Sequence, residues 1–321
     1  MSEPVSQPLV ILNKPLPPYI AEQFEGLCEF VPWSLLDDGS AEQLAAITGM
    51  VIYGHTPVND SVLDKLPNVK VISNFGVGYD HIDVASATRH GVVVGNTPGA
   101  VDGATADMTM ALLLGLARRV ADGDRYAHGP DFLHFDPSYM IGKEVYGSTL
   151  GILGLGRIGK QVAQRAKGFD MKILYHKRTR DEAAEQALGV EYASLEQLLA
   201  ESDFVTLNVP LTPETRGMIG TAQLRQMRSD AMLINIARGA VVDHDALHQA
   251  LSEGWIAAAA LDVTEPEPLP RDHPLLKLDN VLITPHLGSA TRGTRSWMGR
   301  MMVENLQAGL QDQTLPYLVK T

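Results

Sequence analysis

Thr149-Leu-Gly-Ile-Leu-Gly-Leu-Gly-Arg-Ile-Gly159 is the stretch from which the fold is read. Its apolar run, Leu150 to Leu153, has the pattern of a strand buried in a parallel sheet. The run passes directly into Gly154-x-Gly156-x-x-Gly159, and a helical pattern opens at Arg157 and continues through Val162, Ala163 and Ala166. Strand, tight glycine turn and helix in that order form the setting in which G-x-G-x-x-G holds a dinucleotide. Gly154 allows the turn, Gly156 lets the backbone approach a pyrophosphate, and Gly159 lets helix and strand pack closely. The start of the helix turns its unpaired N–H groups toward the phosphates. A bare glycine turn shares the same three residues; the strand before it and the helix after it separate the two readings.

Outward from this stretch the chain alternates strands and helices. On the carboxyl side, strands are expected at Leu150–Leu153, Lys172–Tyr175, Phe204–Asn208, Ala231–Ile234, Ala257–Leu261 and Val281–Thr284. Helices fall between most of them, for example at Leu195–Ala200, Gln223–Met227 and Ala246–Ser252. Six such strands make a complete dinucleotide-binding sheet. On the amino side, about five more strands precede residue 100, at Leu9–Leu12, Phe30–Trp33, Met50–Tyr53, Val69–Ser73 and Val92–Val94, with helices at Ile20–Leu27 and Ala41–Ile47. A long helix at Gly103–Val120 leads out of this first set, and another at Thr291–Leu310 leads back. Between the sets, Asp122 to Ser148 is polar and aromatic with little periodicity, holding Tyr126, Phe132, Phe135, Tyr139 and Tyr146. It is expected to be an irregular arm that contacts a second subunit. The fold class is therefore α/β, with two doubly wound parallel-sheet domains. A Rossmann coenzyme domain at 103–289 is inserted into a flavodoxin-like substrate domain made of 1–102 and 290–321.

Composition narrows the functions. The 321 residues carry 26 Lys and Arg against 38 Asp and Glu, a net charge of −12. Such a balance argues against non-specific nucleic-acid binding and against an acidic membrane surface, so an anionic ligand must be held by local positive groups. Cys28 is the single cysteine, which rules out an intramolecular disulfide and a cysteine metal cluster, and no metal site is expected. No run approaches the ~18 apolar residues of a membrane span. Met1 to Pro8 lacks the basic and apolar parts of a signal peptide, and a cytoplasmic location is expected.

The cofactor's identity turns on the end of the second coenzyme-domain strand. A carboxylate there would accept from the ribose 2′-hydroxyl of NAD. Here the strand ends Tyr175-His176-Lys177-Arg178-Thr179-Arg180, with no acid before Asp181. A 2′-phosphate is matched by an Arg fork and repelled by a carboxylate, which favours NADP, with NAD as the alternative and a solvated basic loop as the non-functional reading. Further on, Asn235-Ile236-Ala237-Arg238-Gly239 follows an apolar strand and carries an Arg into the crevice at the sheet's carboxyl edge. Its guanidinium could grip a carboxylate with two bonds or make a structural salt bridge. Leu261-Asp262-Val263-Thr264-Glu265-Pro266-Glu267-Pro268 and Thr284-Pro285-His286-Leu287-Gly288-Ser289 end the next two strands. A carboxylate bonded to one nitrogen of an imidazole fixes the ring and leaves the other nitrogen to donate a proton. An isolated His is more often structural; convergence of Arg238, Glu267 and His286 on one sheet edge makes the catalytic reading.

These motifs together resemble the D-isomer-specific 2-hydroxyacid dehydrogenase family, most closely its glyoxylate/hydroxypyruvate reductase branch. The resemblance covers most of the chain, through Gly76-Val-Gly-Tyr-Asp-His-Ile-Asp83, Asn96-Thr-Pro-Gly99, Gly154–Gly159, Asn235–Gly239, Leu261–Leu269 and Pro285-His-Leu-Gly-Ser-Ala-Thr291. It implies the two-domain fold above and a homodimer formed through the coenzyme domain and the 122–148 arm. It implies that Arg238 binds the substrate carboxylate and orients the keto oxygen, that His286 is the acid/base, and that Glu267 rather than Glu265 is its partner. The backbone N–H groups of Val77 and Gly78 would hold the carboxylate, and Ser289 and Tyr139 would stand near the substrate. Asp262 would bind the nicotinamide carboxamide. Thr105, Val209, Pro210, Thr215, Ile236 and Gly288 would line the cofactor, with Gly154, Gly156, Arg157, Ile158 and Gly159 at the pyrophosphate and Lys177 and Arg178 at the 2′-phosphate. Relatives acting on hydroxypyruvate place a Trp from the partner's arm against the substrate; here the arm has no Trp, and Tyr139 stands at about that point.

The expected function is NADPH-dependent reduction of a small 2-keto acid, such as glyoxylate or hydroxypyruvate, to the D-2-hydroxy acid. The enzymatic alternative is an NAD-dependent D-2-hydroxyacid dehydrogenase of other specificity, for example for 2-ketogluconate. The alternative from another class is a dinucleotide-sensing binding protein.

Overall fold

The computed structural model describes residues 7–320. Residues 1–6, most of the Met1–Pro8 stretch read for a signal peptide, lie outside them. The chain divides into two compact units: Met1–Val101 with Thr291–Thr321, and Asp102–Ala290.

The first unit is built on a five-stranded sheet of β1 (Leu9–Leu12), β2 (Glu29–Pro32), β3 (Ile47–Tyr53), β4 (Val71–Phe75) and β5 (Val93–Gly95). Its order is β2-β1-β3-β4-β5, with every pair parallel. This is the flavodoxin-like order, in which β1 and β3 flank the point where the winding reverses. Alternate residues of β3 go to opposite faces, as a period of two requires. Met50 and Ile52 join Ile11, Ile72 and Val94 in one apolar layer. Val51 joins Val10, Val71, Met302 and Leu306 in the other, under the helix Arg292–Leu310. Thr291 starts that helix by accepting from Thr294 N–H. Burying whole side chains such as Ile52 and Met50 stabilises by roughly 1.5–3 kcal/mol each.

The second unit carries seven parallel strands: β6 (Thr149–Leu153), β7 (Lys172–His176), β8 (Glu191–Tyr192), β9 (Phe204–Leu207), β10 (Met232–Asn235), β11 (Ala258–Leu261) and β12 (Val281–Ile283). Their order is β12-β11-β10-β9-β6-β7-β8, the doubly wound order with its switch point between β6 and β9. Both faces are covered. Leu150, Ile152, Ile173, Tyr175, Phe204 and Ile234 point to one layer, together with Ala106, Met110 and Leu113 of the helix Asp102–Ala117. Leu153, Leu174, Val205, Leu207, Leu233 and Leu261 point to the other. A strand buried on both sides reads as a continuous apolar run, which is why Leu150–Leu153 looked as it did.

Four features differ from the sequence reading. A seventh strand, β8, joins the sheet edge, too short for its periodicity to be read. The helix expected to reach Val120 stops at Ala117, and Arg119 takes a left-handed backbone, φ 52°. A second helix, Val120–His128, then occupies the start of the segment expected to be irregular. It buries no residue, and Asp122 braces it by bonding Arg119 and Arg125. The expected Ile20–Leu27 helix is a turn of α-helix, Pro18–Ala21, followed by the 3-10 turn Glu22–Phe24. No helix among the described residues is long and apolar enough to cross a membrane.

Candidate active site

The glycine turn sits at the switch point of the second unit. β6 ends at Leu153, and Gly154 takes φ +96°, a conformation other residues rarely adopt. A Cβ there would also press within 2.8 Å of the Asn208 backbone, at the end of β9. A Cβ on Gly159 would collide with the carbonyl oxygen of Gly154. Gly156, by contrast, precedes the ten-residue helix Arg157–Ala166 and faces open space. Tight packing is thus confined to the two outer glycines, and the middle one offers bare backbone where a pyrophosphate must come close. Arg157 lies at the first helical position and donates to Asp102 at 2.9 Å, while Ile158 is half-buried.

Asn208 was not singled out from sequence. Both polar atoms of its amide are buried with no hydrogen-bond partner among the described residues. An unsatisfied buried amide costs about 1–3 kcal/mol, so it marks a place where a polar partner is missing. It stands beside Gly154 and immediately before Val209 and Pro210. Thr215 closes the loop after them: its hydroxyl donates to the Pro210 carbonyl at 2.6 Å and accepts from Thr212 N–H. The empty face at Gly156 and the orphaned Asn208 amide fit a dinucleotide laid across this switch point.

The basic end of β7 divides into committed and uncommitted cations. Arg180 is held bidentately by Glu185, at 2.7 and 2.8 Å. That contact, with a further bond from the Tyr175 hydroxyl, holds the Glu185 carboxyl down at about 2. Asp181 caps the helix Glu182–Leu188 and pairs with Lys160 at 2.8 Å, which keeps its carboxyl below the ordinary range; Lys177 reaches it more loosely, at 3.6 Å. Arg178 is exposed and makes no hydrogen bond or salt bridge among the described residues. The acid nearest the strand end is therefore neutralised, and one guanidinium beside it is uncommitted.

The carboxyl ends of β10, β11 and β12 carry the remaining groups. Arg238 is half-buried in the loop after β10; Asn235 donates to its carbonyl at 2.9 Å, and its own Nη1 donates to the Ala237 carbonyl. Ile236 is buried beside it. After β11, Asp262 is 1% exposed. Its carboxylate accepts from the Thr284 hydroxyl at 2.6 Å and from the N–H groups of Leu287 and Gly288 at 2.7 Å each. Its carbonyl accepts from His286 N–H at 2.9 Å. This set of bonds holds His286 in a left-handed backbone, φ 55°, that a His seldom takes. A nicotinamide carboxamide would be a further partner for oxygens that already carry three hydrogen bonds. Thr105, also buried, bonds the Gly288 carbonyl at 3.3 Å.

His286 Nδ1 lies 2.7 Å from Oε1 of Glu267. Both side chains are about one-third exposed, so Nε2 of the ring has a route to a ligand. Ser289 follows, half-buried. On the arm, the Tyr139 ring packs on Tyr126, 4.6 Å between centroids, and is half-exposed. In the first unit, Val77 and Gly78 follow the carboxyl end of β4.

A switch point fitted to a dinucleotide, beside strand ends that carry an Arg and a His–carboxylate pair, is the layout of a dehydrogenase. The model of the D-isomer specific 2-hydroxyacid dehydrogenase NAD binding domain matches residues 110–288. The chain belongs to this family. A glyoxylate reductase of Korarchaeum cryptofilum is 52% identical over 264 residues, 82% of this chain and 80% of that protein. One from Pyrococcus furiosus is 46% identical over 282 residues, 87% and 84% of the two chains. Among solved structures, the NADPH-dependent glyoxylate/hydroxypyruvate reductase of Sinorhizobium meliloti in complex with NADP and malonate superimposes with a TM-score of 0.89. It is 31% identical, over 98% of this chain and 97% of that one. The protein is accordingly an oxidoreductase that works with a nicotinamide dinucleotide, on a fold of two parallel-sheet α/β domains.

Proposed function

We propose that the protein is an NADPH-dependent reductase that converts a small 2-keto acid, glyoxylate or hydroxypyruvate, to the D-2-hydroxy acid. The observation that carries the reading is the 2.7 Å contact between His286 Nδ1 and Glu267 at the ends of neighbouring strands. With Nδ1 engaged by Glu267, Nε2 is the ring nitrogen that would carry the proton. NADPH, when bound, would supply the hydride for the keto carbon. His286 Nε2 gives its proton to the keto oxygen as that bond forms, and Glu267 stabilises the ring while it is charged. Arg238 grips the carboxylate and meets the negative charge that develops on the oxygen. The N–H groups of Val77 and Gly78 hold the same carboxylate, and Ser289 and the arm's Tyr139 bound the substrate. Oxidation of the hydroxy acid is the reverse, with His286 as base.

Gly154, Gly156, Arg157, Ile158 and Gly159 would hold the pyrophosphate, with Thr105, Val209, Pro210, Thr215, Ile236, Asp262 and Gly288 lining the rest of the dinucleotide. Selection of NADPH over NADH rests on Arg178 and Lys177, one uncommitted and the other only loosely paired, beside an Asp181 that Lys160 has neutralised. The same proposal includes a homodimer in the cytoplasm. The arm supports the dimer: Leu133 is 82% exposed, Phe135 81% and Ile141 75%, apolar area that a second copy would cover.

NADPH consumption over glyoxylate, hydroxypyruvate and 2-ketogluconate tests the reading. Turnover of either of the first two supports it. Turnover of 2-ketogluconate alone would give the protein another substrate, and no turnover on any of them would leave a dinucleotide-binding protein without this activity.

A further inference from the structure

Two asparagines, Asn74 in β4 and Asn96 directly after β5, have no role in the function proposed so far. Asn74 is the fourth residue of β4 and wholly buried. Its Nδ2 donates to the carbonyl of Gly76 at 3.2 Å and to that of Gly78 at 2.9 Å. A carbonyl only accepts, so the amide cannot be turned round, and its Oδ1 must accept from His81 Nε2, 3.0 Å away. His81 therefore carries its proton on Nε2, and the amide and the imidazole lock each other. The Gly76 carbonyl also accepts from Thr97 N–H at 3.0 Å. Asn96, 8% exposed, donates from Nδ2 to the carbonyl of Val77 at 2.8 Å. It is itself held: its carbonyl accepts from Asn305, which in turn accepts from Tyr317 N–H.

These bonds have a geometric consequence. The peptides joining 76 to 77 and 77 to 78 are trans. In a planar trans peptide, the C=O of one residue and the N–H of the next point in opposite directions. Tying the Gly76 carbonyl to Asn74 and Thr97 turns the Val77 N–H away from them. Tying the Val77 carbonyl to Asn96 turns the Gly78 N–H away from Asn96. Neither N–H makes a hydrogen bond among the described residues. We infer that Asn74 and Asn96 are positioning residues that aim the N–H groups of Val77 and Gly78 at the substrate's carboxylate, with His81 fixing Asn74. The inference rests on the proposal that those N–H groups hold the carboxylate. It deepens that proposal: selectivity for a 2-keto acid over a neutral carbonyl compound depends on two buried side chains that touch no ligand.

The test compares an acid with its neutral ester. Wild-type protein, Asn74→Ala, Asn74→Asp and Asn96→Ser are assayed with NADPH on glyoxylate and on methyl glyoxylate, with oxalate as a competing anion and thermal melting as a check on folding. In each variant kcat/KM for glyoxylate falls roughly 10- to 100-fold, mainly through KM, as expected when a binding group is misplaced by a fraction of an ångström. The oxalate inhibition constant rises by a similar factor, and the ester loses less than about threefold. Asn74→Asp keeps the side chain's size but exchanges the donors for a negative charge that itself repels an anion, so Asn96→Ser, which adds no charge, decides the matter if the alanine variant does not fold. Equal losses for acid and ester, or an unchanged preference for the acid, would overturn the assignment of Asn74 and Asn96 while leaving the function intact. A wild-type protein that takes the ester as well as the acid, or reduces neither, would remove the carboxylate cradle itself.

Discussion

Two glycine turns close two parallel strands in this protein, and they present backbone N–H groups by different means. Gly154 to Gly159 runs straight into the helix Arg157–Ala166, whose first turn leaves its own N–H groups unbonded. Gly76 to Gly78 is followed by no helix until Val84. Its N–H groups take their direction from carbonyls tied to Asn74, Thr97 and Asn96. In the first turn, regular secondary structure aims the donors. In the second, buried amides from neighbouring strand ends do it. A turn of the first kind is written in consecutive residues; a turn of the second kind exists only once the sheet has brought β4 and β5 side by side.

Under the proposed function both turns bind and neither reacts, and the largest expected effect tests that division. His286→Gln should lower kcat on glyoxylate roughly 100-fold or more, while dinucleotide binding measured by fluorescence titration stays within about twofold. Near-normal turnover would remove His286 as the acid. Next in size is damage to the first turn. Gly159→Ala puts a methyl group against the Gly154 carbonyl, and overpacking of that kind costs about 1–3 kcal/mol. Weaker dinucleotide binding and a lower melting temperature are expected together, with the oxalate response of the second turn kept. An unchanged dinucleotide affinity would mean that the turn is not the phosphate site. Arg178→Asp should reduce kcat/KM for NADPH roughly tenfold and leave NADH nearly unaffected, as loss of one charge-assisted contact predicts. Steady-state kinetics with the two coenzymes would sink the NADP assignment if both responded alike.

The smallest effect separates the two units by pH. Burial, and then the nearby His273, hold the His244 imidazole of the second unit below its ordinary value. The unfolded chain therefore takes up that proton more readily, and the stability it represents is present above about pH 6.5 and lost as the pH falls toward the folded value. On the first unit, hydrogen bonds to the Ser86 carbonyl and to Asp64 raise His90, so its contribution is full below about pH 6.5 and fades as the pH climbs through the raised value. Melting curves between pH 5 and about pH 8 should show His244→Phe reducing acid sensitivity and His90→Asn reducing stability only on the acid side. If the two substitutions shift the curves in the same sense at low pH, this account of the histidines is wrong.

Much of the architecture was legible because its signals are local. Both sheets are parallel and covered on two faces, so their strands appear as apolar runs, and strand-to-helix alternation shows in the order of those runs. The elements not read from sequence are short or bury no side chain. β8 is two residues at a sheet edge, and the helix Val120–His128 is braced by an Arg–Asp–Arg set with nothing buried. At the site, the residues standing at strand ends could be picked out: Arg238, Glu267, His286 and the cations after β7. Asn208, Asn74 and Asn96 could not, because an Asn at the end of a strand reads as a turn residue until its partners are known. Asp262 was noticed, yet sequence said nothing of the loop its carboxylate holds.

By itself, the sequence determined that two parallel α/β sheets would form, where the glycine turn would fall, and which side chains would stand at the carboxyl edges. Those properties follow from residues within a few positions of one another: periodicity, glycine placement and strand termini. Only the tertiary structure decided which of those groups meet. Lys160 rather than a coenzyme contact pairs with Asp181, and Asn96 takes hold of the Val77 carbonyl. The physical reason is distance along the chain. A hydrogen bond between residues some 20 positions apart depends on strand order and register, which no local pattern encodes.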